Sequence, residues 1–114
     1  MTSPLSLLLL YFLLSVVASL PSAGQSVSAE IQGTVRDPSG AVIVGAGVTA
    51  TNVETGVART TATDGIGAYY VSGLSAGSYE LRIEHPGFKV KKLTGVTLLV
   101  NQTAVLDTTL GWLY

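Results

Sequence analysis

The sequence contains no cysteine and a single histidine, tryptophan and methionine; aromatic residues make up 7% of it and charged residues 11%. Without cysteine there are no disulfides, thiolate metal sites, lipidated amino terminus or cysteine nucleophile. With His85 as the only imidazole, one chain offers no multi-histidine metal site. Charge is scarce and balanced: six basic groups meet seven acidic ones, for a net charge of −1. A pI near 5.6 lacks the basic surplus that nucleic acid demands, so no nucleic acid is expected as partner. The first charged residue is Glu30, and none precedes it.

What the amino terminus has instead is an apolar run from Leu5 to Leu20, interrupted by Ser6, Ser15 and Ser19. As a helix it would rise about 24 Å, short of the roughly 30 Å hydrocarbon core of a bilayer. Pro21 ends the run, and the small residues Ser22, Ala23 and Gly24 follow. An apolar segment, a breaker and then small side chains form the pattern of a secretory signal peptide. Residues 1–24 are therefore read as a signal helix cut after Gly24, with Ala29 as the second position for the cut. No Lys or Arg precedes the run, and retention as a membrane anchor is the competing reading. Residues 25–29 make a short linker, 30–110 the folded domain and 111–114 a carboxyl-terminal tail.

Twelve glycines and twelve threonines fall within residues 25–114, a composition that favours strands over helices. Turn signals recur about every ten residues: Pro38-Ser39-Gly40, Glu54-Thr55-Gly56, Asp64-Gly65-Ile66-Gly67, Gly73 to Gly77 and Pro86-Gly87. Between them apolar residues alternate, as in Tyr79, Leu81 and Ile83 opposite Glu80, Arg82 and Glu84. Such alternation buries one sheet face and wets the other, and two such faces must close on each other. The pattern predicts an all-β sandwich of about seven strands: 30–37, 47–53, 57–63, 68–72, 78–85, 88–93 and 103–110, with 96–100 as an extra edge segment. Ala41 to Val44 breaks the alternation and is expected to cross from one strand to the next. The expected core is Ile31, Val48, Tyr69, Leu74, Tyr79, Leu81, Ile83, Phe88 and Leu106, with the two tyrosine hydroxyls reaching polar partners at its rim.

The spacing of these turns carries a resemblance. Gly33-Thr34-Val35-Arg36-Asp37-Pro38-Ser39-Gly40-Ala41, then Gly45-Ala46-Gly47-Val48, resembles the opening of the carboxypeptidase regulatory-like domain. Asp64, Gly67, Tyr69, Leu74, Gly77, Tyr79 and Pro86-Gly87-Phe88 match its second block. The resemblance covers about residues 29–110 and implies a transthyretin-like (prealbumin-like) Greek-key sandwich. Gly40, Gly67 and Gly77 would then take positive φ in tight turns. Such domains resemble the amino-terminal extension of TonB-dependent, Oar-like outer-membrane receptors. The plug and barrel of those receptors do not appear in these 114 residues. Two departures stand out: Gly47 begins the second strand where a β-branched or polar residue is usual, weakening that edge, and Thr108 turns inward where a larger apolar residue is usual.

Residues with chemistry read mostly as structural. His85, before Pro86-Gly87, caps a strand. Ser78, His85 and Asp64 make a triad on paper, but no nucleophile elbow or oxyanion loop surrounds them. Asp37 and Asp64 head glycine turns without the repeated acidic spacing of a calcium loop, and are expected to accept backbone N–H bonds. Related surface sandwiches join a first-strand lysine to an asparagine; here the first strand carries Arg36, and no such crosslink is expected. Asn101-Gln102-Thr103 fits a glycosylation sequon and reads here as a polar turn. No catalytic, cofactor-binding or metal-binding residue is assigned, and no cofactor is expected.

The candidate interaction surface is Tyr70, Lys89, Lys91, Lys92, Trp112 and Tyr114. The lysines form a basic cluster on an edge strand, and the aromatics remain after the leader, with its Tyr11 and Phe12, is gone. The function expected is that of a non-catalytic exported module that binds protein or glycan at the cell envelope, an outer-membrane barrel among the candidates. Location is the periplasm, the outer membrane or the extracellular space, with membrane contact only through an uncleaved leader. The alternative is a carbohydrate-binding module of the starch-binding-like sandwich type, which would use exposed aromatic faces.

Overall fold

The computed structural model describes residues 28–114; the expected signal helix, its cleavage position and most of the linker lie outside the described residues. The rest is all-β, with no helix among the described residues. Eight strands follow in order: β1 (Ala29–Arg36), β2 (Gly47–Asn52), β3 (Ala58–Ala62), β4 (Ala68–Leu74), β5 (Gly77–Glu84), β6 (Lys91–Leu98), β7 (Thr103–Val105) and β8 (Thr108–Thr109). One sheet has β1 between antiparallel β4 and parallel β7, with β8 also pairing parallel to β1; the other is antiparallel in the order β3-β2-β5-β6. The chain crosses between the sheets four times, the interleaving of the expected Greek-key sandwich.

The alternation seen in the sequence becomes the core. Ile31, Val48, Tyr69, Leu74, Tyr79, Leu81 and Ile83 are all buried. Phe88 and Leu106, expected beside them, are half-buried and pack against the core from its margin. Phe88 lies in the turn after β5, and Leu106 in the break between β7 and β8. Ala29, Val35, Ile43, Ala46, Leu98 and Leu110 complete the interior. No buried side-chain polar atom among the described residues lacks a hydrogen-bond partner. The two sheets thus cover each other's apolar faces within residues 29–110, which carry what folding requires.

The strand boundaries depart from expectation at two bulges. Along β4, Ala29 faces Leu74 and Ile31 faces Val71, so three steps on one strand match two on the other. The extra residue falls at Ser72-Gly73, where Gly73 takes φ +70°. Along β6, Leu81 faces Leu93 and Tyr79 faces Val96, with Gly95 at φ +71°. An inserted residue with a left-handed glycine switches which parity of side chain points inward. Hence Leu93 on one side of the bulge and Val96 and Leu98 on the other all face the core. The predicted strand 88–93 and edge segment 96–100 are in fact one strand running through a bulge. Its first residues, Phe88 to Val90, belong to the preceding turn, and Val100 is exposed in the loop beyond.

The predicted last strand, 103–110, divides into β7 and β8, and the cause lies on β1. The Leu106 N–H donates to the Gln32 carbonyl at 2.7 Å, and the Leu106 carbonyl lies over Gly33, where a Cβ would stand 2.0 Å from that oxygen. The Tyr69 hydroxyl, from the residue paired with Gly33, donates to the same carbonyl at 2.5 Å. An Asp107 carboxylate oxygen then accepts the Thr34 N–H at 2.9 Å. Tyr79 behaves similarly at the other end of the core, donating to the Ser75 carbonyl at 2.7 Å. Both tyrosine hydroxyls therefore reach partners at the rim, as expected.

Gly47 does not weaken an edge: it lies in a central strand, paired with Ala62 on one side and Glu84 on the other. Thr108 is buried, as expected. The crossing at Ala41–Val44 is held by an antiparallel bridge from Val42 to Arg36 and by the Ile43 N–H on the Val35 carbonyl. Thr63, not singled out from sequence, fixes that crossing to β3. Its buried hydroxyl donates to the Ile43 carbonyl and accepts the Ala46 N–H.

Two measurements test this frame on residues 25–114. Gly33→Ala forces a methyl into the Leu106 carbonyl and should cost about 3 kcal/mol or more in urea unfolding. Gly47→Ala meets nothing closer than 3.7 Å and should change stability by less than about 1 kcal/mol. Burial, with a smaller contribution from the Asp107 carboxylate, pushes the Tyr69 phenol up to about 12 from its ordinary 10.0. The unfolded chain ionises first, so this contribution is complete below pH 10 and is lost as pH climbs from 10 to about 12. Thermal unfolding across that window should fall more steeply for the native sequence than for Tyr69→Phe.

Candidate functional site

The sandwich has two ends. Residues Asp37–Ala46, Thr63–Gly67, His85–Val90 and the carboxyl-terminal segment lie at one; Val53–Val57, Ser75-Ala76, Leu99–Gln102 and the entry to β1 lie at the other. The strand directions and registers fix this division.

Two turns at the first end use one device. In Asp37-Pro38-Ser39-Gly40-Ala41 the carboxylate accepts the N–H groups of Ser39 and Ala41, and the Gly40 N–H donates to the Asp37 carbonyl with φ +90°. In Asp64-Gly65-Ile66-Gly67-Ala68 the Asp64 carboxylate accepts from Ile66 and Ala68, and the Gly67 N–H closes the turn with φ +74°. The pattern Asp-x-x-Gly-Ala needs a short acceptor at the first position and a left-handed residue at the fourth. The Ser39 hydroxyl, assisted by the backbone donors, holds the Asp37 carboxyl below its ordinary 3.8. Each aspartate thus accepts backbone N–H bonds through one carboxylate oxygen, as expected from sequence. Asn52 does the same for the β2–β3 hairpin, accepting from Glu54 and Thr55. Its side chain was not legible as a turn anchor because Glu54-Thr55-Gly56 alone accounts for a turn there.

The paper triad does not assemble. Ser78 and His85 sit near opposite ends of β5, some 23 Å apart at the rise of an extended strand. His85 Nδ1 lies 2.9 Å from the Pro86 carbonyl oxygen, directly after β5, the strand it was expected to cap. Among the described residues, no group of three or more His, Cys, Asp or Glu side chains is placed to hold a metal ion.

The six candidate interaction residues divide into four places. Lys92 faces outward from β6, 4.0 Å from a Glu80 carboxylate oxygen. Lys91, on the face shared with Leu93, lines a cleft with Arg36, Asp107 and Thr109. Lys89 lies beside the tail, its backbone N–H on the Gly111 carbonyl. Lys91 and Lys92 therefore point to opposite faces of β6, and Lys89 lies before that strand.

Trp112 is not at a frayed end. Gly111 and Leu113 form hydrogen bonds with Lys89 and Gly87, and Trp112 bridges antiparallel to Phe88. The indole stacks on the Phe88 ring with centroids 5.1 Å apart, and the His85 ring meets Phe88 edge-on at 5.6 Å. One indole face is thereby covered, and Trp112 remains 47% exposed. Leu113 is also part-exposed and Tyr114 fully so. Tyr70 stands apart on β4, 56% exposed, pointing outward because Tyr69 points in. Among the described residues Tyr70 makes no ring contact with Trp112, so the surviving aromatics do not form one platform.

Comparison with known proteins agrees with this architecture. The model of one family, the carboxypeptidase regulatory-like domain, matches residues 30–111. No curated protein sequence matches the chain. Among solved structures, catechol 1,2-dioxygenase from Acinetobacter radioresistens aligns with a TM-score of 0.61 at 13% identity, over 79% of this chain and 53% of that one. The Streptococcal ancillary pilin aligns at 0.59 and 16% identity, over 78% and 34%. The Bacillus anthracis TIE protein aligns at 0.61 and 18% identity, over 76% and 17%. The chain spans about half, or less, of the length of these structures. At such identities the likeness is one of fold alone.

Because Trp112 is the only tryptophan, its emission reports the clasp directly. Phe88→Ala should shift that emission to the red and destabilise the domain by about 1–3 kcal/mol, a stacked pair and a half-buried ring being lost. Steady-state fluorescence and urea titration of the same variant check both outcomes.

Proposed function

Because this chain belongs to the carboxypeptidase regulatory-like domain family, we propose that residues 25–114 are an exported, non-catalytic interaction module of the cell envelope. In this reading residues 1–24 direct export and are removed, and the sandwich works as the amino-terminal extension of a TonB-dependent receptor does, whether within such a receptor or as its relative. Its partner is a protein of the envelope, with an outer-membrane barrel the first candidate. The observation that carries the proposal is the clasped tail. Backbone hydrogen bonds and the Phe88 stack hold Trp112 in place while Leu113, Tyr114 and the outer indole face meet solvent beside Lys89. Ordered aromatic side chains presented to water, with a cation at their edge, have the composition of a docking surface. The family match and the sandwiches of a pilin and of the TIE protein fit a β-sandwich module.

A second reading, glycan binding, is favoured by one observation, the outward Tyr70 ring on β4 beside Gln32, Thr34 and Asp107.

Two measurements check the first reading. Mass spectrometry of the exported protein should show an amino terminus at Gln25. A photoreactive side chain at position 114 should give a discrete adduct with an envelope protein in intact cells, and Trp112→Ala should abolish it. Retention of residues 1–24, or an adduct that persists in Trp112→Ala, would count against it.

A further inference from the structure

Tyr70 is an exposed aromatic side chain that two adjoining hollows share. On the outer face of the β4-β1-β7 sheet, a shallow groove of about 370 Å³ is lined by Tyr70 with Gln32, Thr34, Ile66, Val105 and Asp107. Around the sheet edge, where β3 and β4 run side by side, a second hollow of about 290 Å³ is lined by the same Tyr70 with Arg59, Thr60, Thr61 and Ser72. The ring is the ridge between them.

The register makes this more than proximity. Gln32 lies directly between Tyr70 on β4 and Val105 on β7, so the three side chains cross the outer face in one row. The Asp107 carboxylate is pinned at the end of the groove by the Thr34 N–H. The Tyr70 position is in turn fixed by Tyr69, whose buried ring and hydroxyl bond set the pleat at that point. On the other side, Arg59 reaches back over Gly73, where a Cβ would come within 3.4 Å of its guanidinium. The bulge glycine therefore keeps the space above β4 free for that side chain.

The chemistry of the lining selects its ligand. The outer groove holds one carboxylate and no cation, which disfavours phosphate and sulfate. It combines an aromatic face with an amide that both donates and accepts, a carboxylate acceptor and a hydroxyl. The second hollow adds a guanidinium and the hydroxyls of Thr61 and Ser72, while the Thr60 hydroxyl is engaged with Thr49 at 3.1 Å. Groups that donate and accept in alternation, spread on both sides of one exposed ring, suit a chain of sugar hydroxyls whose carbon-bound hydrogens rest on that ring.

We infer that this track across Tyr70 binds a neutral linear oligosaccharide, one pyranose stacked on the ring and its neighbours hydrogen-bonded to Gln32 and Asp107 on one side and to Arg59, Thr61 and Ser72 on the other. The inference rests on the glycan-binding reading and is independent of docking through the tail.

Calorimetric titration of residues 25–114 with cellohexaose, maltohexaose, xylohexaose and, as a charged comparison, hexagalacturonate tests it. At least one neutral hexaose should bind. Tyr70→Ala should weaken that binding about tenfold or more, Tyr70→Phe should retain it, and Trp112→Ala should leave it unchanged. Tyr70 is exposed, so its variants should keep the native unfolding temperature. Binding of none of the neutral hexaoses, binding of hexagalacturonate alone, or binding that survives Tyr70→Ala would each overturn the inference. None of these outcomes touches the adduct at position 114, so the two readings fail separately.

Discussion

The absence of a side chain at Gly33 is the constraint on which the rest of the sandwich depends. It lets the Leu106 carbonyl descend onto the middle of β1, closer than any Cβ would allow. That approach brings the oxygen within reach of the Tyr69 hydroxyl and breaks the last strand into β7 and β8. The break in turn lets the chain pair with β1 twice, first at Glu30–Gln32 and again at Val35-Arg36. Without it, the largest buried side chain would carry an unsatisfied phenol into the interior, at a cost of about 1–3 kcal/mol. A hydrogen bond of ordinary strength thus acquires architectural weight because its geometry is available at one position only.

This explains what was legible beforehand and what was not. Strand identity was legible wherever alternation is local, as in β2 and β5, since each inward residue there is two steps from the next. The Asp-x-x-Gly-Ala turns were legible for the same reason: acceptor and left-handed glycine lie within five residues. Parity switches were not. Gly73 and Gly95 read as turn or spacer residues in a linear scan, because a bulge is defined by the partner strand rather than by its own neighbours. The division of 103–110 was hidden likewise, its cause lying more than seventy residues away at Gly33.

The candidate site followed the same division between local and distant causes. Tyr70 could be assigned outward from the inward position of Tyr69 one residue before it. The lysines at 89, 91 and 92 looked like one patch because sequence neighbours were treated as spatial neighbours, whereas the pleat turns Lys91 and Lys92 to opposite faces of β6 and Lys89 lies before that strand. Trp112 was placed at a terminus with no expected partner, and the Phe88 ring that receives it is over twenty residues earlier. Contacts of that range are beyond composition and periodicity.

The two surfaces left open by this fold lie where the core cannot reach them. Inward positions are saturated by aliphatic side chains and two capped tyrosines, and the glycine turns consume the carboxylates of Asp37 and Asp64. In this small domain the polar side chains of the turns are largely committed to the backbone. What it can offer is shape held in place: one ring standing on a sheet face, and one indole clasped at the sandwich end. Rigid presentation lowers the entropy lost on binding, so a domain of marginal size gains recognition from the same hydrogen bonds and stacks that keep it folded. The clasp joins the tail to the turn after β5, whereas the Tyr70 ridge stands on β4. A partner at one therefore need not disturb a ligand at the other.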